Sequence, residues 1–163
     1  MSSELIISEA KNKIIRDFIK DVELVRAIGV DPSMSREKLI GKYIFDYNQN
    51  PNTINDVGTF ITVLVHIPRR YYGYKKMYVY PTVDIWIISH QRHMKVDDIP
   101  KVIGNRNDYI SRLIGRKLNG SNLFGLGDLE LTENVEGAIQ SDYLYRNMIF
   151  QCAELSRSMC VDE

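Results

Sequence analysis

The side chains that could bind a metal ion are few in this sequence. His90 and His93 form the one close histidine pair, and they fall at the end of a predicted strand. Zinc needs at least a third protein ligand, for which Asp97 and Asp98 are the nearest candidates, and no cysteine is close by. The spacing therefore favours an ordinary polar loop over a metal site.

An acid inside an apolar strand is a feature of metal-dependent nucleases, which pair it with a Glu-x-Lys on the next strand. Asp84 is such an acid, but no Glu-x-Lys follows it, so an aspartate held by hydrogen bonds is favoured. The sequence also lacks a Gly-x-Ser-x-Gly motif and a phosphate-binding glycine loop. Without a convergent acid, base or metal set, we expect no enzyme activity and no cofactor.

The 27 residues from Val57 to Val83 contain no acid and read as two strands joined by a basic, tyrosine-rich connection. Tyrosine and arginine dominate protein-interface hot spots, but they also stack on single-stranded bases and neutralise phosphates. Because the chain is neutral overall, we favour a protein partner, with nucleic acid or a plain exposed loop as alternatives. The candidate interface residues here are Arg69, Arg70, Tyr71, Tyr72, Tyr74, Lys75 and Lys76.

A second segment carries the opposite charge. Residues 126–142 hold five acids and no Lys or Arg, whereas the connection carries four of the 21 basic residues and leaves the rest at 17 − 21 = −4. One basic and one acidic patch suit head-to-tail self-association, and two solvated loops are the alternative. The acids are Asp128, Glu130, Glu133, Glu136 and Asp142.

The length and composition are typical of one globular domain, which we place at residues 1–163. The chain is 44% apolar and 26% charged. Its two cysteines, Cys152 and Cys160, suggest reduced thiols in a cytosolic setting, with Cys152 in an apolar strand. No basic leader precedes Glu4 and Glu9, and no apolar run approaches the ~18 residues that a bilayer span needs. We therefore expect neither secretion nor membrane contact.

Hydrophobic periodicity predicts an α+β fold. Helices are predicted over Ser8–Ile28 and Arg106–Leu118, and strands from Gly58 and over Met77–His90, with an interruption at Pro81. Further predicted elements are a short helix over Ser35–Leu39 and strands over Tyr43–Tyr47, Leu126–Leu131 and Leu144–Leu155. Together these predict one antiparallel sheet with helices packed on one face.

The two long strands predict a protruding hairpin, over about residues 58–90. The 14 residues of the returning strand span about 46 Å when extended, which exceeds the diameter of about 40 Å for a compact domain of this size. We therefore expect the hairpin to extend past the body of the domain.

This layout resembles the tail-terminator and neck proteins of tailed bacteriophages. The resemblance is carried by the N-terminal helix, the long hairpin, the helix that includes Asn105–Leu113, and an acidic loop before a closing strand. It is most pronounced over 81–90 (Pro-Thr-Val-Asp-Ile-Trp-Ile-Ile-Ser-His) and 141–150 (Ser-Asp-Tyr-Leu-Tyr-Arg-Asn-Met-Ile-Phe).

The resemblance implies a structural virion protein, assembled in the host cytoplasm, that forms a hexameric ring at the head-proximal end of the tail. Such a ring caps the tail tube and joins it to the head connector. Its expected partners are further copies of itself, the tail-tube and head-connector proteins, and, non-specifically, DNA in the lumen. We expect the basic hairpin tip of one subunit to contact the acidic segment of the next subunit or of the adjoining ring.

Two alternatives stay open from the sequence. A head-completion or connector-adaptor protein would also form a ring, on the portal side. A small nucleic-acid-binding module would use the same Tyr/Arg tip, and salt-dependent binding of single-stranded DNA would favour it.

Overall fold

The computed structural model describes residues 3–49, 57–67, 70–73, 76–152 and 159–161. Its helices are α1 (Ser3–Lys20), α2 (Val22–Ile28) and α3 (Arg106–Leu118), with single 3-10 turns at Arg36–Leu39 and Gln91–His93. The strands are β1 (Ile44–Phe45), β2 (Thr59–His66), β3 (Arg70–Gly73), β4 (Lys76–Val79), β5 (Thr82–His90), β6 (Leu129–Ile139), β7 (Tyr143–Cys152) and β8 (Met159–Val161).

The strands form two sheets. The larger has the order β1-β2-β5-β7-β6, and the smaller has the order β3-β4-β8. Strand β1 runs parallel to β2, whereas the other neighbours in the larger sheet are antiparallel. The α+β prediction is therefore confirmed, with a short parallel strand added at one edge of the sheet.

The helices cover one face of the larger sheet. Buried side chains of all three helices pack in one cluster with alternate residues of the central strands, such as Ile61, Ile85 and Phe150. The opposite face carries a separate, smaller cluster of Phe45, Phe60, Ile88 and Tyr143, to which no helix contributes. Alternation along β2 and β5 thus gives the sheet a helix-covered face and a second face, which we call the open face because none of the described helices packs on it, although its four cluster residues are buried.

The predicted first helix, Ser8–Ile28, is two helices. Asp21 adopts an extended backbone and its carboxylate accepts hydrogen bonds from the backbone N–H groups of Glu23 and Leu24, so it caps a new helix. The break changes the phase of the apolar stripe, and Val22, the first residue of α2, is 48% exposed. Gly29, with φ +90°, ends α2 as predicted. Ser8 lies inside α1 and does not cap it.

The single long hairpin predicted over residues 58–90 is not found. Its strands divide into two pairs that belong to different sheets, because the register changes between His66↔Thr82 and Arg70↔Val79. Three residues separate the paired segments on one strand and two on the other, and Pro81 lacks the N–H that a continuous ladder requires. Strand β4 also pairs with β8, which the sequence did not predict.

The acidic segment is a strand rather than a loop. A strand over Leu126–Leu131 followed by a loop was predicted. Instead, β6 stays paired with β7 from Leu129 to Ile139, with one bulge between Leu131 and Glu133. The alternation is lost after Leu131 because β6 is an edge strand and is exposed on both faces over residues 132–136. Its pattern is therefore typical of a loop, although its backbone is extended.

A buried arginine joins the helices to the loop before α3. Arg106 is 2% exposed and donates hydrogen bonds to three backbone carbonyls, those of Ala27 at 2.8 Å, His93 at 2.6 Å and Lys95 at 2.7 Å. It also donates to the Asp98 carboxylate at 2.6 Å. Burial acts to raise the pKa of Asp98, but the hydrogen bond from Arg106 lowers it below the usual value.

We predict that Arg106→Lys lowers the free energy of unfolding by about 3 kcal/mol or more, because a single ammonium group cannot replace the planar guanidinium and buried carbonyls lose their donors. Urea unfolding followed by circular dichroism measures the change. Asp98→Asn is the matched control, with an expected loss below about 1 kcal/mol, because the Asp98 side chain is 51% exposed. Equal losses for the two variants would contradict this account.

Candidate subunit interface

The basic tip and the acidic segment were the predicted interface. Arg70, Tyr71 and Tyr72 lie on β3 and Lys76 lies on β4, in the smaller sheet. Arg69, Tyr74 and Lys75 lie outside the described residues. Contact between the tip and an acidic segment in another copy of the chain therefore stays a prediction.

The acidic residues lie along one edge of the larger sheet. Glu130, Glu133 and Glu136 are exposed on β6, and Asp128 directly precedes this strand. In the described part of the chain no further strand pairs with the outer side of β6. Charged side chains on an exposed edge prevent uncontrolled strand pairing, so these acids suit an edge that meets only selected partners.

One of these acids takes part in an internal ion-pair cluster. Arg146 on β7 contacts Glu136 at 2.9 Å and also pairs with Asp108 in the first turn of α3. This cluster fixes the N-terminal end of α3 against the sheet. Among the described residues, neither Glu130 nor Glu133 takes part in a salt bridge, so their charges remain available to a partner.

Aromatic side chains cover part of the open face next to β6. The rings of Trp86 and Tyr145 lie 5.0 Å apart between centroids, and the Tyr145 ring lies over Gly137 on β6. In the same cluster, Phe60 contacts both Phe45 and Tyr143 in edge-to-face or tilted geometry, and these three rings are buried. The packed rings stiffen the sheet, with the half-buried Trp86 and Tyr145 at the margin of the cluster.

The residues considered for chemistry have structural roles. The Asp84 carboxylate accepts a hydrogen bond from the amide of Asn147, as expected for an aspartate held by hydrogen bonds. His90 accepts from the backbone N–H of Arg92 and packs edge-on against Tyr143, with centroids 5.2 Å apart. In the described ranges, no three His, Cys, Asp or Glu side chains are grouped as a metal site would require. Cys152 is buried.

His93 begins a chain of hydrogen bonds through the sheet. Its Nδ1 lies 2.8 Å from Thr59 Oγ1, which lies 2.7 Å from Ser89 Oγ. Ser89 in turn donates to the Asn107 amide oxygen at 2.6 Å, while the Asn107 NH₂ group donates to the Leu144 carbonyl at 3.2 Å. Each hydroxyl has one proton, so Thr59 donates to Ser89 and His93 Nδ1 must be the donor to Thr59.

The sequence did not reveal the roles of Arg106, Thr59 and Ser89. An arginine in the first turn of a helix usually points to solvent. Thr and Ser are common in strands, and their presence alone does not indicate a buried hydrogen bond. The available signal was the strand pattern, because Thr59 and Ser89 occupy positions of the core-facing series that Ile61 and Ile87 continue. A polar pair at such positions requires a buried polar partner.

In the described part of the chain, neither α1 nor another helix has the length and hydrophobicity that crossing a bilayer requires. The described residues thus form an α+β domain with an acidic sheet edge and an aromatic cluster on the face away from the helices.

The sequence profile of the YomW family matches residues 12–152, and the chain therefore belongs to the YomW family. The family carries a phage gene name. The match therefore supports the more general statement that the chain is a phage protein. No curated protein matches the chain.

We predict that Gly137→Ala disturbs the aromatic surface of the open face. A β-carbon at Gly137 would lie 2.6 Å from Tyr145 Oη and 2.7 Å from Cζ, so the ring must shift from its present position beside Trp86. Because Trp86 is the one tryptophan in the sequence, its emission spectrum reports the change directly. We also expect the free energy of unfolding to fall by about 1–3 kcal/mol.

Gly58→Ala is the control for this glycine substitution, because a β-carbon at Gly58 meets nothing within 4 Å. It should leave both the emission spectrum and the stability close to wild type. An unchanged spectrum in Gly137→Ala would show that Tyr145 does not rest on Gly137.

We also predict a loss of stability as the pH falls below about 6.5, the ordinary pKa of histidine. Burial lowers the pKa of His93 in the folded protein, and the nearby Arg106 cation lowers it further. Between these two pKa values the unfolded chain binds more protons than the folded chain does. The free energy of unfolding therefore falls as the pH is lowered through that range. Asp21 and Asp98, whose folded pKa values are also lowered, contribute losses only at more acidic pH, below about 4.

Thermal unfolding measured at intervals between about pH 7 and pH 5 tests this expectation. His93→Gln should flatten the pH dependence in that window, whereas His66→Gln, at an exposed strand end, should retain it. Retention of the full slope in His93→Gln would assign the titration to another group.

Proposed function

We propose that this YomW-family phage protein is a structural virion protein that forms a ring at the head-proximal end of the tail. In this role it caps the tail tube and joins it to the head connector, and it is assembled in the host cytoplasm. The observation that carries the proposal is the exposed acidic edge of β6, because each subunit of a ring needs a surface that complements a different surface of the next copy, and a charged edge can supply one.

The family match and the architecture support a structural role. The YomW profile covers most of the chain, which makes the phage assignment apply to the whole domain rather than to a short motif. In the described residues, the polar groups that might have served chemistry are occupied within the fold, since Asp84 binds Asn147 and His93 binds Thr59. We therefore favour assembly over catalysis.

The basic tip is proposed to supply the contacts along the tail axis. Its chain segment joins the ends of β2 and β5, which are inner strands of the larger sheet, so it leaves the sheet at a strand end rather than at a lateral edge. Burial of Tyr71, Tyr72 and Tyr74 against the adjoining ring would contribute more than each exposed ion pair, which is worth about 0–1 kcal/mol.

Native mass spectrometry and negative-stain electron microscopy of the purified full chain test this function. We expect annular particles of one subunit number, with six as the proposed number, and particles bound to one end of isolated tails. A chain that stays monomeric at all concentrations would contradict the proposal, and salt-dependent binding of single-stranded DNA by that monomer would assign it to nucleic-acid recognition instead.

Arg69→Glu/Arg70→Glu tests the role of the tip. We expect this double variant to form rings that fail to join tails, because the reversed charge faces the adjoining component rather than the neighbouring subunit. Lys95→Glu/Lys101→Glu makes the same change of net charge on the exposed loop before α3 and is the control. Tail joining at the wild-type level by the Arg69/Arg70 variant would exclude the tip as a contact.

A further inference from the structure

The edge of the sheet opposite β6 is basic. It consists of the segment from Arg36 to Asp46 and of the α1 side chains next to it, and we call it the basic edge. Lys11 on α1 donates to the Asp46 carbonyl at 2.6 Å. The Arg16 cation is one of the groups that lower the pKa of the Glu37 carboxyl. The cations are Lys11, Arg16, Arg36, Lys38 and Lys42, and the acids are Glu37 and Asp46, which gives 5 − 2 = +3.

The β6 edge has the complementary charge. We define it as residues 126–142, which hold five acids and no cation, and hence −5. Strands β1 and β6 are the two outer strands of a five-stranded sheet, and four strand spacings of about 4.8 Å place them about 19 Å apart. The two charged edges therefore point away from each other on opposite sides of the same domain.

Two charges on each edge are exposed and well placed to meet a partner. Lys38 and Lys42 are exposed, as are Glu130 and Glu133. Among the described residues none of these four takes part in a salt bridge. Lys42 lies 5.3 Å above the ring of Tyr43, which holds its ammonium group at the surface.

From this arrangement we infer that the occupant of the β6 edge is the basic edge of a second copy of this chain. Complementary surfaces on opposite sides of a subunit produce head-to-tail contacts, which close into a ring when the rotation between subunits divides a full turn. The inference rests on the proposed ring. Neighbouring subunits of the ring would meet through these two edges, and the basic tip would contact the adjoining ring.

Protection of the edge alone does not explain the acids equally well. Lysine protects an exposed strand edge at least as effectively as glutamate does. If Glu130 and Glu133 served only this purpose, reversing their charge would leave the association of the protein unchanged. Charge reversal therefore separates an edge that is merely protected from an edge that binds a basic partner.

The test uses two charge-reversal variants of the full chain. Lys38→Glu/Lys42→Glu places glutamates at the exchanged positions of both edges, and Glu130→Lys/Glu133→Lys places lysines at the exchanged positions of both edges. Each variant alone should lose the ring, with the apparent dissociation constant raised at least about tenfold, because like charges then face each other. An equimolar mixture should form rings in which the two variants alternate, and the quadruple variant should recover assembly.

Native mass spectrometry measures these assemblies, and Lys95→Glu/Lys101→Glu serves as the control for net charge. A zero-length carbodiimide cross-linker should join Lys38 or Lys42 to Glu130 or Glu133. Since these residues lie on opposite edges of one domain, such a link must connect two copies of the chain.

The outcomes separate the inference from the proposed function. Rings that survive both double variants, or cross-links from Glu130 or Glu133 to Lys75 or Lys76, would overturn the edge-to-edge contact and leave the ring function standing. A wild-type chain that forms no assembly would overturn both. Loss of rings in each variant with recovery in the mixture would support both.

Discussion

The fold depends on a guanidinium group that is buried away from water. Arg106 satisfies carbonyls at the end of α2 and in the loop before α3, groups that no regular secondary structure serves. Burying a charge is costly unless its donors are used, and here one planar group joins segments that are 79 residues apart in the chain. The position of α3 over the sheet, and with it the Arg146 ion pairs that reach Glu136, follows from this arrangement.

The two faces and two edges of the larger sheet have different tasks. The helix-covered face supplies most of the apolar core, and the open face supplies an aromatic surface in which Tyr145 is held between Trp86 and Gly137. The edges carry the charge. The apolar interior thus stabilises the domain, whereas charged side chains such as Lys38 and Glu133 lie exposed at the edges.

Much of the fold could be predicted from the sequence where one periodicity ran uninterrupted. Helix α3 begins and ends at the predicted residues, and Asn105 caps it. Of the apolar residues expected to face inward, Ile110, Leu113, Ile114 and Leu118 are buried, whereas Tyr109 is half-buried and its hydroxyl donates to Glu23. Prediction was wrong where a single residue changed the phase or where an element was exposed on both faces. Asp21 starts a second helix within one apolar stripe, and β6 loses alternation at the sheet edge.

The candidate interface was only partly accessible to sequence reasoning. The acids of residues 126–142 stood out because no cation separates them. The basic edge did not, because its cations come from α1 and from residues 36–42, which become neighbours only when α1 packs beside the strands. Charge clusters contributed by distant segments leave no local signal, whereas a cluster within one strand does.

The outer side of β1 is already occupied by its own chain. Ile40 forms a parallel bridge with Ile44, and the Gly41 N–H donates to the Ile44 carbonyl at 2.9 Å. A copy of the protein that approached β1 would therefore meet few unfilled main-chain groups there, which disfavours fusion of two sheets at this strand. Contacts made there would depend on side chains, and side-chain contacts do not template the strand-on-strand growth of fibrils.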